Sequence, residues 1–271
     1  MIGSGAGSVR ARGLVAAAGI ALATAFGAGV ASAGPAAEAP HAAPAATTIG
    51  VLYFDYAGKN AELAPLSKGL AQMLISDLAA VDTIRVVERE RLQAVLDEQK
   101  LGHGGKIDSH TAARIGKLLG ARYLVLGTYF DALGAFRADA RLVDVETGQI
   151  VKSIGANGKA EDFISLEQTL AEGLGKAAAQ LPPPRAGAGS KERGSGHSAG
   201  EHGVAKPPAP PAHKPPKPPR GLKASTAVTY GKALAAADVG DRKQATTLFK
   251  SVLADQPDFE LAQRDLDKLI Q

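Results

Sequence analysis

The period of apolar positions changes repeatedly along the chain, and each change marks an element. Ile49 to Phe54 is a short apolar run closed by Asp55 and Gly58, the signature of a buried strand. Leu66, Leu70, Met73, Leu74, Leu78 and Val81 then recur at helical spacing, predicting an amphipathic helix over Leu63 to Val81. A second strand is expected at Ile84 to Val87. A helix follows to about Gln99, with Leu92, Val95 and Leu96 as its apolar stripe and Glu88 and Glu90 in its first turn, where the helix dipole favours carboxylates. A Gly-rich loop (Gly102 to Gly105) leads to a third helix capped by Asp108 or Ser109, carrying Ala112, Ile115, Leu118 and Leu119, and stopped by Gly120.

Strand character dominates next. Tyr123 to Phe130 predicts a central strand. From Ala135, the apolar set Phe136, Ala138, Ala140 and Leu142 alternates with Arg137, Asp139 and Arg141, until Val143 and Val145 slip the phase and predict a bulge. Glu146-Thr147-Gly148 is a turn, Gln149 to Gly158 the returning strand, and Leu166 to Leu181 a closing helix. The order β-α-β-α-α-β-β-β-α predicts an α/β (α+β) fold: a small mixed sheet flanked by helices. After a long break, Val228 to Ala237 and Arg242 to Ala254 predict a separate small all-α helical hairpin, with a third, capping helix marked by Leu261, Leu266 and Leu269.

Composition explains the breaks. The chain has 271 residues with 32 Gly and 16 Pro, more than one folded unit accommodates. Most of the prolines fall between Pro182 and Gly221, a low-complexity segment read as a disordered, extended linker. The predicted organisation is therefore a signal peptide at 1–33, a disordered lead at 34–47, the α/β domain at 48–181, the Pro/Lys-rich linker at 182–221 and a helical module at 222–271. The first of these rests on basic Arg10 and Arg12, the uncharged run Leu14 to Phe26 and a small-x-small site at Ala31-Ser32-Ala33. It implies export across the inner membrane to the periplasm, with outer-membrane association as an extension.

The charge total of +4 is carried by the same segments. Pro182 to Lys223 holds Arg185, Lys191, Arg193, Lys206, Lys214, Lys217, Arg220 and Lys223 against Glu192 and Glu201. The remainder is therefore slightly acidic, which argues against reading the folded part as a nucleic-acid binder. The linker is a spacer whose cations could touch cell wall or lipid headgroups. Absence of Cys excludes disulfides, thiolate zinc sites and lipidation on an N-terminal cysteine.

The blocks Ile49 to Phe54, Leu70 to Leu78, Val86 to Gln93, Ile115 to Thr128 and Arg141 to Val151 resemble, in order and spacing, the CsgG family of bacterial outer-membrane curli secretion components. That superfamily includes domains similar to the N-terminal domain of TolB and to the penicillin-binding-protein activator LpoB. The resemblance covers about half the chain and implies a non-enzymatic protein that acts by binding envelope proteins, with homo-oligomers as a further possibility. An oligomeric outer-membrane secretion channel is the alternative. Against it, the pore-forming member is lipidated on Cys and carries long membrane hairpins, whereas only four residues separate Phe130 from Ala135.

In the C-terminal segment, Ala233, Gly240, Asp241, Ala245, Phe249, Val252 and Pro257 resemble the small, turn, core and terminating positions of a tetratricopeptide repeat, with Tyr230 beside the position of the usual early aromatic. Such a unit must pack on a partner, on itself or on the α/β domain. The candidate interaction residues are Tyr230, Ala233, Ala245 and Phe249 in the groove between these helices, and Arg137 and Arg141 on the outward face of the Val143/Val151 hairpin. Deletion of 222–271 is expected to remove a partner and leave the α/β domain folded.

No catalytic, cofactor or metal site is predicted. Gly3 to Gly7 lacks a preceding strand, and Gly102 to Lys106 has Lys100 where a phosphate loop needs its first Gly and Ile107 where it needs Ser or Thr. His197, His202 and His213 lie in the linker without partners to orient them. His103 and His110 flank a loop without a paired carboxylate, and no nucleophile elbow occurs. Glu88 and Glu90 read as helix-start charges.

Overall fold

The computed structural model describes residues 46–100, 109–181 and 219–271. The signal peptide, nearly all of the lead, the Gly102–Gly105 loop and residues 182–218 of the linker lie outside the described residues. So do the side chains of His103, His110, His197, His202 and His213.

Six strands form one mixed sheet. β1 (Thr47–Val51) runs parallel to β3 (Ile84–Val86) on one side and to β4 (Tyr123–Ala132) on the other. β5 (Ala135–Asp144) and β6 (Ile150–Lys159) extend the sheet antiparallel, giving the order β3-β1-β4-β5-β6. A two-residue strand, β2 (Asp55–Tyr56), pairs parallel with β4 at Thr128 and Tyr129. The expected bulge is present: the β5–β6 register shifts between Leu142 and Val143. Gly148 has φ +70, as the expected turn requires.

Parity along the strands decides which helix covers which face. Ile49, Val51, Tyr123, Val125, Phe136, Ala138, Ala140 and Leu142 face α1 (Leu66–Leu78) and α4 (Phe163–Ala179) in the larger core. Leu124 and Val145 face the other way, against α3 (Ser109–Leu119) and the stripe Leu92 and Leu96 of α2 (Arg89–Glu98). Glu88 stands at the start of α2 and Glu90 in its first turn, as expected.

Three helices follow the linker: α5 (Ala224–Asp238), α6 (Arg242–Asp255) and α7 (Glu260–Ile270). The local signals hold. Gly240 ends α5 at φ +79, and Asp241 caps α6 by accepting from the Gln244 amide at 2.9 Å. The separateness expected of them does not hold, because α5 lies on α1 and its buried residues belong to the larger core. The helices cross where both lack a side chain. A Cβ on Gly231 would stand 1.9 Å from the Pro65 carbonyl oxygen, and one on Gly69 would stand 2.9 Å from that of Ala227. The entering segment also closes on α4, whose first amides, Phe163 and Ile164, donate to the Leu222 carbonyl at 2.8 and 3.3 Å. Gly231→Val should therefore lower stability by about 3 kcal/mol or more, because overpacking here meets backbone instead of a side chain that can turn away. Chemical denaturation of the full chain checks this.

Candidate interaction surface

The two groups of candidate residues meet different fates. Tyr230, Ala233, Ala245 and Phe249 are all buried. Ala233 on α5 and Ala245 on α6 have no exposed surface. The Tyr230 ring packs against Phe249 and Phe259 at centroid distances of 6.0 and 5.0 Å, and its hydroxyl donates to Asp265 at 2.5 Å. The groove between the helices is filled from within the chain, so these four side chains hold α5, α6 and α7 together and offer no surface to a partner. The physical reason joins two of the options raised by the sequence: the helices pack on one another, and α5 also packs on α1.

Arg137 and Arg141 are exposed on the outward face of β5. Register places Phe130 and Asn157 beside Arg137, and Leu126 and Ser153 beside Arg141. Arg137 donates twice to Asp139, Nε at 3.0 Å and an Nη at 2.7 Å, and this fork lies over Gly155, where a Cβ would stand 2.8 Å from Asp139 Oδ1. Arg141 has no ion-pair partner among the described residues. The face is mixed in polarity and flanked by edge strand β6, with Ile150 and Val151 exposed at its start. Val143, named with Val151 as a hairpin edge, is buried instead, because it pairs with Leu124 at the end of this face that α2 and α3 cover. β4, β5 and β6 are each ten residues long, enough to cross a bilayer when tilted. On β5, however, one set of alternate side chains lies in the core and the other carries Arg137, Asp139 and Arg141, which is no lipid-facing pattern.

Two buried polar clusters lie elsewhere. In the first, Asp238 on α5 accepts from Lys68 Nζ of α1 and from Arg89 of α2, each at 2.5 Å. Burial opposes both charges and Asp238 restores them: Lys68 lies below its ordinary pKa and Arg89 above. Gln93 accepts from Lys68 at 3.1 Å and from the Tyr53 hydroxyl at 2.8 Å. A cleft of about 390 Å³ opens beside this cluster, between α2 and the C-terminal helices. Its Asp97 and Asp265 are taken by Gln93 and Tyr230, and Lys268 and Glu90 pair within it at 3.8 Å. The cleft is thus a junction between helices whose charges answer one another.

The second cluster is a carboxyl pair between α1 and α4. Glu167 is wholly buried, and the carboxyl of Asp77 is the neighbour with which its own carboxyl can share a proton. Burial, reinforced by the charge of neighbouring Asp77, pushes it well above the ordinary carboxylate range, and burial raises Asp77 to about 6. Both folded-state values lie above the unfolded ones. The pair therefore favours folding at low pH, and that contribution is lost as pH rises from about 4 through 6 and beyond. Glu167→Gln, which carries no proton to lose, should flatten this loss and make the variant more stable than the parent chain at pH 7. Urea unfolding of both proteins at pH 4.5 and pH 7.5 measures it. Sequence reasoning missed both clusters, since nothing in the local pattern links residues so far apart. Among the described residues, no group of three or more His, Cys, Asp or Glu is placed to hold a metal ion, and no helix is long and apolar enough to cross a membrane.

Residues 42–132, spanning β1 through β4, match the family model described as "Curli production assembly/transport component CsgG". No curated protein matches the chain significantly. Among solved structures, it is similar to the LpoB C-terminal domain from Salmonella enterica (18% identity over 44% of this chain and 87% of that one, TM-score 0.37). It is also similar to lipoprotein GNA1162 from Neisseria meningitidis (17% identity, 50% of this chain and 99% of that one, TM-score 0.36) and to TolB from Acinetobacter baumannii (16%, 51% and 29%, TM-score 0.35).

Proposed function

We propose that this chain is a non-enzymatic protein-interaction module of the bacterial cell envelope, acting in the periplasm or at the outer membrane through the open face and edge formed by β4, β5 and β6. The observation that carries the reading is the match of residues 42–132 to the CsgG family model. The export signal read at 1–33 and the layout of the polar groups support it. The buried ion cluster ties helices together, whereas the Arg137–Asp139–Arg141 row faces solvent. The linker adds reach and a basic charge that suits anionic wall or headgroup surfaces.

The test is photocrosslinking in intact envelopes, with the photoreactive group in place of Arg141 and, as control, of exposed Lys250 on α6. Discrete adducts from the Arg141 position, absent from the Lys250 position and identified by mass spectrometry, are the expected result. Adducts of equal yield from both, or from neither, would remove the reading.

A further inference from the structure

Strand β6 is an open edge. Its residues pair with β5 alone, in the register Ala135↔Lys159 through Leu142↔Lys152. The Ala160 amide donates to the Gly134 carbonyl at 3.0 Å, which fixes the phase of the ladder. Residues 152, 154, 156 and 158 turn their backbone groups toward β5, and Ser153, Gly155 and Asn157 turn theirs outward. Those outward N–H and C=O groups have no hydrogen-bond partner among the described residues.

Natural edge strands are blunted by brevity, proline, bulges or charge. β6 has a lysine near each end and its irregularity at the Ile150 end, but Ser153 to Gly158 contains no charge and no proline. Its side chains are mostly small, so they leave the backbone accessible. Charge decides what fits there. Along β6, and from Ala135 to Val143 on β5, the charged residues are Arg137, Arg141, Lys152, Lys159 and Asp139, and Asp139 is taken by Arg137. A second copy pairing edge to edge would bring two such rows within ~5 Å of each other, where like charges repel. An acidic strand meets no such cost.

We infer that β6 receives an added strand from a partner protein: an extended segment, uncharged over ~6 residues and flanked by carboxylates ~7 positions apart, so that one reaches Lys152 and the other Lys159 on the opposite face. The inference rests on the protein-interaction reading above and names the chemistry of the partner.

The probe is a fluorescent synthetic peptide, Glu-Thr-Val-Thr-Val-Thr-Val-Glu, added to the full chain, with a version bearing Lys at both ends as control. Binding is read by anisotropy and by hydrogen exchange of the Gly155 and Asn157 amides. The acidic peptide should bind, slow exchange at both amides and outcompete the basic one. Ser153→Pro removes an outward N–H without touching the β5 ladder and should weaken binding at least ~10-fold. Lys152→Glu with Lys159→Glu should do the same. Asn157→Pro serves if Ser153→Pro lowers the melting temperature. Absence of binding, binding that leaves Gly155 and Asn157 unprotected, or binding indifferent to both proline variants would overturn the inference. So would protection of those amides by a concentration-dependent dimer without peptide. Each of these outcomes leaves the envelope crosslinks from Arg141 standing, so failure here is distinct from failure of the interaction reading.

Discussion

A chain ending at Leu181 should fail to fold cooperatively, showing a broad or absent thermal transition and binding a hydrophobic dye. This reverses the expectation drawn from the linker, under which residues 222–271 are dispensable to the α/β fold. The reversal follows from what the C-terminal helices cover. Leu222, Ala227, Val228 and Tyr230 are buried in the same core as Leu66, Leu70 and Leu74 of α1. Truncation returns the covered face of α1 to water, at roughly 25 cal/mol for each Å² of apolar surface uncovered. It also leaves the Phe163 and Ile164 amides at the start of α4 without the Leu222 carbonyl. Marginal stability of ~5–15 kcal/mol does not absorb losses of this kind easily. Far-UV and near-UV circular dichroism with temperature decide the matter. A sharp transition at the full-length temperature would show that α5 to α7 are an appendage after all. Supplying residues 219–271 in trans should restore the transition if the loss is one of docking.

The contrast between local and long-range features explains what was legible in the chain beforehand. The alternation Phe136, Ala138, Ala140 and Leu142 specifies β5 and its buried face. Val143 and Val145 are apolar because helices cover their end of the opposite face, and the bulge falls beside them with its extra residue, Val151, on β6. Gly148, Gly240 and Asp241 mark their turn and cap through conformations that few other residues adopt easily. The β4–β5 turn was not legible. It is Leu133-Gly134 with both residues at positive φ, and leucine is no turn residue; its side chain is fully exposed. Nor was the docking of α5. Helical period shows that Tyr230, Ala233 and Phe249 are buried, but it carries no information about which surface buries them. The meaning of Gly231 emerges only when Pro65 is found beneath it. The same reasoning separates the candidate interaction residues. Apolar members of the list had to be buried somewhere, and the fold supplied the place, while Arg137 and Arg141 could only remain outside.

Asp238→Ala should cost about 3–5 kcal/mol, the largest effect expected of any single substitution away from the glycine crossing. Lys68 and Arg89 are each no more than 5% exposed, and Asp238 is the carboxylate both of them reach at 2.5 Å. Removing it leaves two like charges in a space that already contains unpartnered polar atoms, Arg89 Nε among them. The effect should depend on pH in a definite direction. Burial already holds the Lys68 pKa below its ordinary value, so the folded state binds fewer protons than the unfolded one as Lys68 titrates. Stability of the variant should accordingly rise as pH increases toward 10.5, more steeply than that of the parent chain, because loss of Asp238 lowers the Lys68 pKa further. Arg89 cannot escape in this way and stays charged. Replacing the lysine as well, Lys68→Met in the Asp238→Ala background, should recover part of the loss and abolish the pH dependence. Hydrophobic replacement of Lys68, Arg89 and Asp238 together should recover most of it. Urea unfolding of these proteins and of the single Lys68→Met variant between pH 6.5 and 9.5 gives the Lys68–Asp238 coupling energy directly. A small cost for Asp238→Ala that does not change with pH would mean that water reaches Lys68 and Arg89, and that α5 is held on α1 by its apolar seam and the Gly69–Gly231 crossing alone.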